Sequence, residues 1–342
     1  MTLKNKRVLL LAPKFFNYEV YLAEALRAKG ADVAYYNADP SQLITMCDST
    51  LKKIIKGSDL FVKLFEKRLQ RRITGKYDYI IIVCGWAVTR YTVKYLRDFR
   101  LKQNGKMILY YWDSIDRLAD DVERRKYFDL VFSFDPFDCA NSKEKILHLP
   151  LFYTDTYVKQ SYKNNPKYDL SIIGSFRLDR YDYIEKLKKQ NPSLKIYSYL
   201  YIKKYVIRLH KLLRKKYRHI DLGKLDFSAL SQEEVIEKYS NSKAVLDKPG
   251  DKQRGLTIRT FETLAMRKKL VTSNDTIKGY DFYCPNNIFV IDSNNMVLPD
   301  ESWFDQPFDN SRNKIFSKYC LDNWMSVLLG ETDVSDFNFI GI

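Results

Sequence analysis

The densest group of side chains able to do chemistry is Gly250-Asp-Lys-Gln-Arg-Gly-Leu-Thr-Ile-Arg-Thr-Phe-Glu262-Thr-Leu-Ala265, a polar, glycine-containing loop that runs into a helical pattern. Unsatisfied N–H groups at a helix start, beside Arg254 and Arg259, make a site for an anion such as a diphosphate. Glu262 falls one turn beyond Thr257, where a carboxylate can accept both hydroxyls of a ribose. Arg259 reads equally as a surface arginine, and Glu262 as a solvated helix charge. A second loop of this kind, Gly174-Ser175-Phe176-Arg177, follows the apolar run Asp169–Ile173.

These loops need strands and helices to position them. Arg7–Ala12, Ala31–Tyr36, Tyr77–Cys84, Lys106–Trp112, Phe128–Phe134 and Ile146–Pro150 read as strands. Between them lie helical patterns over Tyr18–Lys29, 50–72 and 88–103. Residues 159–168 are polar, carry Pro166 and read as a linker. The alternation then restarts, with strands at Asp169–Ile173, Leu194–Leu200, Lys243–Asp247, Leu270–Ser273 and Ile288–Ile291. Helices are expected at 179–190, about 201–218, 231–240 and Thr257–Met266, the third opened by a near capping box, Ser231-Gln-Glu-Glu234. A final helix is expected over Asn310–Leu329. Strands alternating with helices predict an α/β chain of two Rossmann-like, doubly wound domains, 1–158 and 159–309. The segment 310–342 is expected to return to the first domain. Ligands of such sheets sit beyond the carboxyl ends of the strands, and two such ends can face one another across a cleft.

The 342 residues suit two domains of roughly 150 residues. With 45% hydrophobic and 29% charged residues the composition is that of ordinary globular protein. The longest apolar runs fall far short of the roughly 18 residues that span a bilayer. Cys47, Cys84, Cys139, Cys284 and Cys320 are scattered and form no CxxC pair, which predicts reduced thiols in a cytosol without disulfides or a zinc site. His148, His210 and His219 are too few and too dispersed for a histidine-based hydrolase or metal centre. There is no GxGxxG, GxxxxGK[ST] or GxSxG, so nicotinamide, P-loop and α/β-hydrolase readings lack support. The formal charge of +16 is concentrated: 50–72 carries net +6 and 203–219 net +8. Both stretches place apolar residues at helical spacing among the cations; in 201–218 the expected apolar face is Tyr201, Ile202, Tyr205, Val206, Leu209, Leu212 and Leu213. Basic amphipathic helices of this kind predict an anionic membrane surface as partner. Nucleic acid is the rival partner, but no nucleic-acid-binding motif is present and none is expected to bind.

The run Gly255-Leu-Thr-Ile-Arg-Thr-Phe-Glu-Thr-Leu-Ala265, followed by Leu270-Val-Thr272, resembles the donor-binding segment of bacterial GT-B glycosyltransferases. It is closest to the spore-maturation-type and polysaccharide-assembly group. Tyr168-Asp-Leu-Ser-Ile-Ile-Gly174-Ser-Phe-Arg177 resembles the opening of that group's second domain. The resemblance covers the second half and extends to the first only in outline. It implies the GT-B fold and transfer of a sugar from a nucleotide diphosphate sugar to a lipid-linked or polysaccharide acceptor, and the basic helices are expected to hold the enzyme in the cytoplasm on the inner face of the cell membrane. Glu262 would hold the ribose, and Arg177 and Arg259 the phosphates. The donor-side candidates are Gly174, Ser175, Arg177, Lys248, Arg254, Gly255, Thr257, Arg259 and Glu262. Many retaining members carry two acidic residues eight positions apart in this segment. Here Arg254 stands eight before Glu262, so inversion and retention both stay open.

An inverting transfer needs a general base on the first domain. Asp113, Asp135 and Glu19 are the candidates in that order, each also readable as a helix-capping carboxylate. Trp86 and Trp112 end strands and would stack on a sugar or pack in the core. No two of the 30 aspartates stand two positions apart, so the Asp-x-Asp motif of metal-dependent glycosyltransferases is missing. A metal-free reaction without a cofactor is expected, with the leaving diphosphate stabilised by arginines and helix N-terminal amides. The alternatives are a sugar-nucleotide epimerase on the same fold, or a non-catalytic module binding membrane or nucleic acid.

Overall fold

The computed structural model describes residues 2–39, 59–84, 88–115, 122–158, 165–250, 253–292, 296–337 and 339. Six strands build the first sheet: β1 (Arg7–Ala12), β2 (Asp32–Asn37), β3 (Tyr77–Val83), β4 (Leu101–Tyr111), β5 (Leu130–Ser133) and β6 (Leu147–His148). All are parallel, in the order β2-β1-β3-β4-β5-β6. The runs Arg-Val-Leu-Leu-Leu-Ala and Tyr-Asp-Tyr-Ile-Ile-Ile-Val are almost continuously buried because helices cover both faces of a parallel sheet. The helices that matter here are α1 (Tyr18–Ala28), α2 (Asp59–Arg72), α3 (Arg90–Phe99), α4 (Pro136–Asn141) and α5 (Asp155–Val158).

The second sheet comprises β7 (Tyr168–Ser175), β8 (Ile196–Tyr201), β9 (Ser242–Asp247), β10 (Lys269–Thr272) and β11 (Ile288–Val290), parallel in the order β11-β10-β9-β7-β8. Its main helices are α6 (Leu178–Gln190), α7 (Lys204–Leu213), α8 (Gln232–Ser240) and α9 (Ile258–Ala265). Ser231 caps α8 with the full reciprocal pair: its hydroxyl accepts from Glu234 N, and the Glu234 carboxylate accepts from Ser231 N. Each sheet reverses its strand order once, between β1 and β3 and between β7 and β9. Crevices that receive ligands open at these switch points.

Two helices are shorter than expected. The basic stretch 201–218 is helical only over α7, after which Arg214 turns extended and a single 3-10 turn follows. The buried side of α7 is Ile207 and His210, so Tyr205, Leu212 and Leu213 of the expected apolar face stand exposed. The helix expected over 310–329 is broken into Asn313–Phe316, a 3-10 turn and α10 (Leu321–Leu328). Tertiary hydrogen bonds cause the break. Tyr153 N donates to Tyr319 O at 3.0 Å and Leu321 N donates to Tyr153 O at 2.9 Å, which pulls Cys320 out of helical geometry. The expected helix over 88–103 stops at Phe99, because Leu101 already pairs with Tyr77 as part of β4.

α10 lies against α1 of the first half. The Trp324 indole donates to Pro150 O at 2.9 Å and meets the Tyr110 ring edge-on at 4.9 Å, while Lys29 Nζ donates to Ser326 Oγ at 2.9 Å. One hydrophobic cluster joins the inner faces of both halves through Phe134, Phe152, Leu256, Phe261 and Trp324, and separate clusters fill the outer face of each sheet. Among the described residues no helix is long and apolar enough to cross a membrane.

Candidate functional site

β9 ends in Asp247, whose side chain is buried. Its carboxylate accepts from Thr257 Oγ1 at 2.7 Å, Arg259 Nη1 at 3.1 Å and Thr260 Oγ1 at 3.5 Å. Thr257 is the N-cap of α9, yet its hydroxyl is turned to Asp247 and does not cap the helix. Arg259 also donates from Nε to Tyr239 Oη at 2.8 Å and from Nη2 to Ile173 O. Its guanidinium therefore ties α9 to β7, β9 and α8. Arg259 was expected on a phosphate, but every nitrogen of its guanidinium is engaged within the fold. Asp247 carried no sequence signal beyond ending a strand.

The loop after β7 lies beside the loop after β9, at the switch point. Arg177, the N-cap of α6, pairs with Asp179 and donates to Pro249 O at 3.2 Å. Behind it lies Arg180, which the sequence reading missed. It is buried, and its two amino groups donate to Ser175 O at 2.7 Å and Lys248 O at 3.1 Å, clamping the loops together. Burial, reinforced by Arg259 and Arg177, lowers the Arg180 pKa to about 10. A Cβ on Gly174 would stand 2.9 Å from Arg180 Nη1 and 3.1 Å from Arg259 Nη2, which explains the glycine. Ser175 is exposed, and Lys248 is buried with its ammonium 5.3 Å from the Tyr183 ring centre. Three arginines and a lysine thus crowd the carboxyl ends of β7 and β9. This is a setting for a polyanion.

Glu262 lies on α9 at the seam between the halves, and it is buried rather than solvated. The Tyr18 phenol at the start of α1 donates to its carboxylate, and the Tyr157 phenol on α5 stands beside it. Burial raises the Glu262 pKa, against the opposing effect of the Tyr157 and Tyr18 phenols. Gly255 is another seam residue: an added Cβ would come 2.5 Å from the Phe134 ring at the end of β5. Arg254 is exposed, with its guanidinium 4.5 Å from the Phe137 ring centre. It helps wall a hollow of about 430 Å³ with Ile115, Phe137 and Lys143.

Of the expected bases, two are engaged in structure. Asp135 is fully buried and caps α4, accepting from Phe137 N and Ser114 Oγ, each at 3.0 Å. Glu19 is buried and accepts from Phe15 N at 3.0 Å, holding the loop after β1. Neither faces an open site, so both are corrected to structural carboxylates. Asp113 is exposed just past β4, with the Cys84 thiol 3.9 Å from Oδ2. Trp112 is half-buried, its ring 5.8 Å from that of Phe15, and Trp86 lies outside the described residues. Phe15 and Phe16, both exposed, were not anticipated as part of this edge.

No family model and no curated protein matches this sequence. Solved structures do resemble the fold. A glycosyltransferase from Rickettsia africae superposes with a TM-score of 0.56 at 11% identity, covering 96% of this chain and 98% of that one. Anabaena HepE in complex with UDP and glucose gives a TM-score of 0.50 at 12% identity, covering 97% and 96%. AviGT4, a glycosyltransferase of avilamycin A biosynthesis, gives 0.50 at 8% identity, covering 96% and 99%. Two parallel α/β sheets in one chain, matched over nearly their whole length by these enzymes, give this protein the GT-B fold.

Proposed function

We propose that this chain is a glycosyltransferase that moves a sugar from a nucleotide diphosphate sugar to a lipid-linked or polysaccharide acceptor. The observation that carries the reading is the pairing of two features of the second half. A buried carboxylate, Glu262, stands one turn into α9, and a cationic cluster of Arg177, Arg180 and Lys248 crowds the adjacent switch point. The first suits a ribose diol and the second a diphosphate. In support, HepE, a neighbour in fold, was solved with UDP and glucose.

In this reading Arg177 and the N-terminal N–H groups of α9 hold the diphosphate and stabilise the charge that develops on it as the glycosidic bond breaks. No metal or cofactor is assigned to that step. Asp113, the exposed carboxylate at the end of β4, takes the proton of the attacking acceptor hydroxyl if the transfer inverts, and Trp112 lies next to it in the chain. The basic helices anchor the enzyme to an anionic leaflet. On α2, Leu60 and Leu64 stand exposed among Lys63, Lys67 and Arg68, and on α7 Leu212 and Leu213 stand exposed near Arg208, Lys215 and Lys216.

The test is titration calorimetry with UDP, GDP, ADP and dTDP, with and without EDTA. One nucleotide is expected to bind regardless of EDTA, and Glu262→Ala is expected to weaken it at least tenfold. Unchanged affinity in that variant would remove Glu262 from the site. Loss of binding in EDTA would overturn the metal-free step.

A further inference from the structure

The carboxylate assigned to the ribose is not empty. Tyr18 donates its phenol O–H to it and the Tyr157 phenol stands beside them, the same hydroxyl chemistry that a ribose 2′,3′-diol offers. We propose that Tyr18 and Tyr157 occupy the ribose site of the unliganded protein, and that donor binding displaces Tyr18 and opens the contact between the halves. This rests on the donor-site reading of Glu262.

The contact belongs to a cluster of polar side chains across the seam. The Tyr21 phenol, one turn along α1, donates to Gln232 Oε1, and the Tyr157 phenol stands beside both Gln232 and Glu262. Glu262 accepts from Tyr18 at the other end of the cluster. Four of these five residues reach the same seam from α1, α8 and α9, and the fifth comes from α5, which precedes the second sheet in the chain. With Glu262 6% exposed and Tyr18 7% exposed, no room is left for a sugar diol beside the phenols. One set of hydroxyls must leave for the other to enter.

Tyr18 is placed to move. It follows two consecutive non-glycine residues in left-handed conformation, Phe16 at φ 49° and Asn17 at φ 66°. Such residues store strain and gather at sites that switch. The loop they form is exposed at Phe15 and Phe16, and its Phe15 N donates to the Glu19 carboxylate. Turning Tyr18 out relieves that loop at the cost of its edge-on packing against Phe152.

The experiment measures affinity for UDP, GDP and ADP, and for the 2′-deoxy form of whichever binds best, in wild type, Tyr18→Phe and Glu262→Gln. The proposal expects Tyr18→Phe to bind the ribonucleotide at least fivefold more tightly, with a smaller gain for the 2′-deoxy form. Glu262→Gln is expected to lose most of the binding. If Tyr18→Phe binds no better while Glu262→Gln still loses binding, the displacement is wrong and the donor site stands. If Glu262→Gln binds like wild type, the donor-site reading itself fails and this proposal with it. Should Tyr18→Phe not fold, hydrogen exchange on the wild type decides. Amides of residues 18–22 are expected to exchange faster with nucleotide bound, and unchanged or slower exchange overturns the displacement.

Discussion

Single residues at the carboxyl ends of the strands differ in what surrounds them, and that difference decides their chemistry. Asp135 and Asp113 each end a strand of the first sheet, yet one is walled in by its own helix start and the other faces out. His148 provides a residue-scale prediction. Burial lowers its pKa to about 4, although hydrogen bonding to the backbone at Phe134 and Phe337 pulls the other way, and Tyr280 Oη lies 3.2 Å from Nε2. The unfolded chain takes up a proton near pH 6.5 that the folded chain refuses, so stability is lost as the pH falls from 6.5 towards 4. The expected loss is about 3 kcal/mol over that window. Urea unfolding at pH 7.5 and pH 4.5 checks it, with His148→Gln expected to flatten the dependence.

At the scale of elements, the loop between β9 and α9 is held by close packing as much as by charge. Gly255 lets its backbone lie against the Phe134 ring, and Asn274 Nδ2 pins the loop through Arg254 O at 2.9 Å. Gly255→Ala is expected to destabilise the protein by about 1–3 kcal/mol, the usual cost of overpacking a filled site. Phe134→Leu in the same chain is expected to recover much of that loss, because the ring is what the new methyl meets. Chemical denaturation of the two single variants and the double variant measures the coupling. An unchanged stability for Gly255→Ala would mean that the loop moves aside freely.

Across the whole molecule, two halves share one apolar seam while most of the excess charge sits on α2, α7 and their flanking residues. Such a distribution is expected to drive binding to vesicles that contain phosphatidylglycerol and to fail on neutral vesicles. Binding should weaken as salt rises. Reversing Lys63, Lys67 and Arg68 to Glu is expected to lower vesicle affinity by more than a hundredfold, from about 1 kcal/mol for each cation lost near the leaflet. Co-sedimentation in low and high salt checks this. Undiminished binding of the triple variant would move the contact elsewhere.

Strand–helix alternation, the restart of that pattern at the second sheet, the cap at Ser231 and the two basic stretches were all legible in the amino-acid sequence. Each depends on neighbours within a few residues, so period and local hydrogen bonding suffice to specify it. The glycine-containing loops after β7 and β9 were legible as well, because glycine, arginine and a strand end are sequential features. Tertiary structure decided the rest. Arg259 bonds Ile173 O, 86 positions away, and Glu262 meets Tyr18, 244 positions away. Arg180 was missed for the same reason: its partners are backbone carbonyls of two loops, one of them 68 positions on. The broken final helix follows from Tyr153, which no helical propensity in 310–329 records. Local sequence determines which elements form, but which polar groups stay open for a ligand depends on what distant segments bring against them.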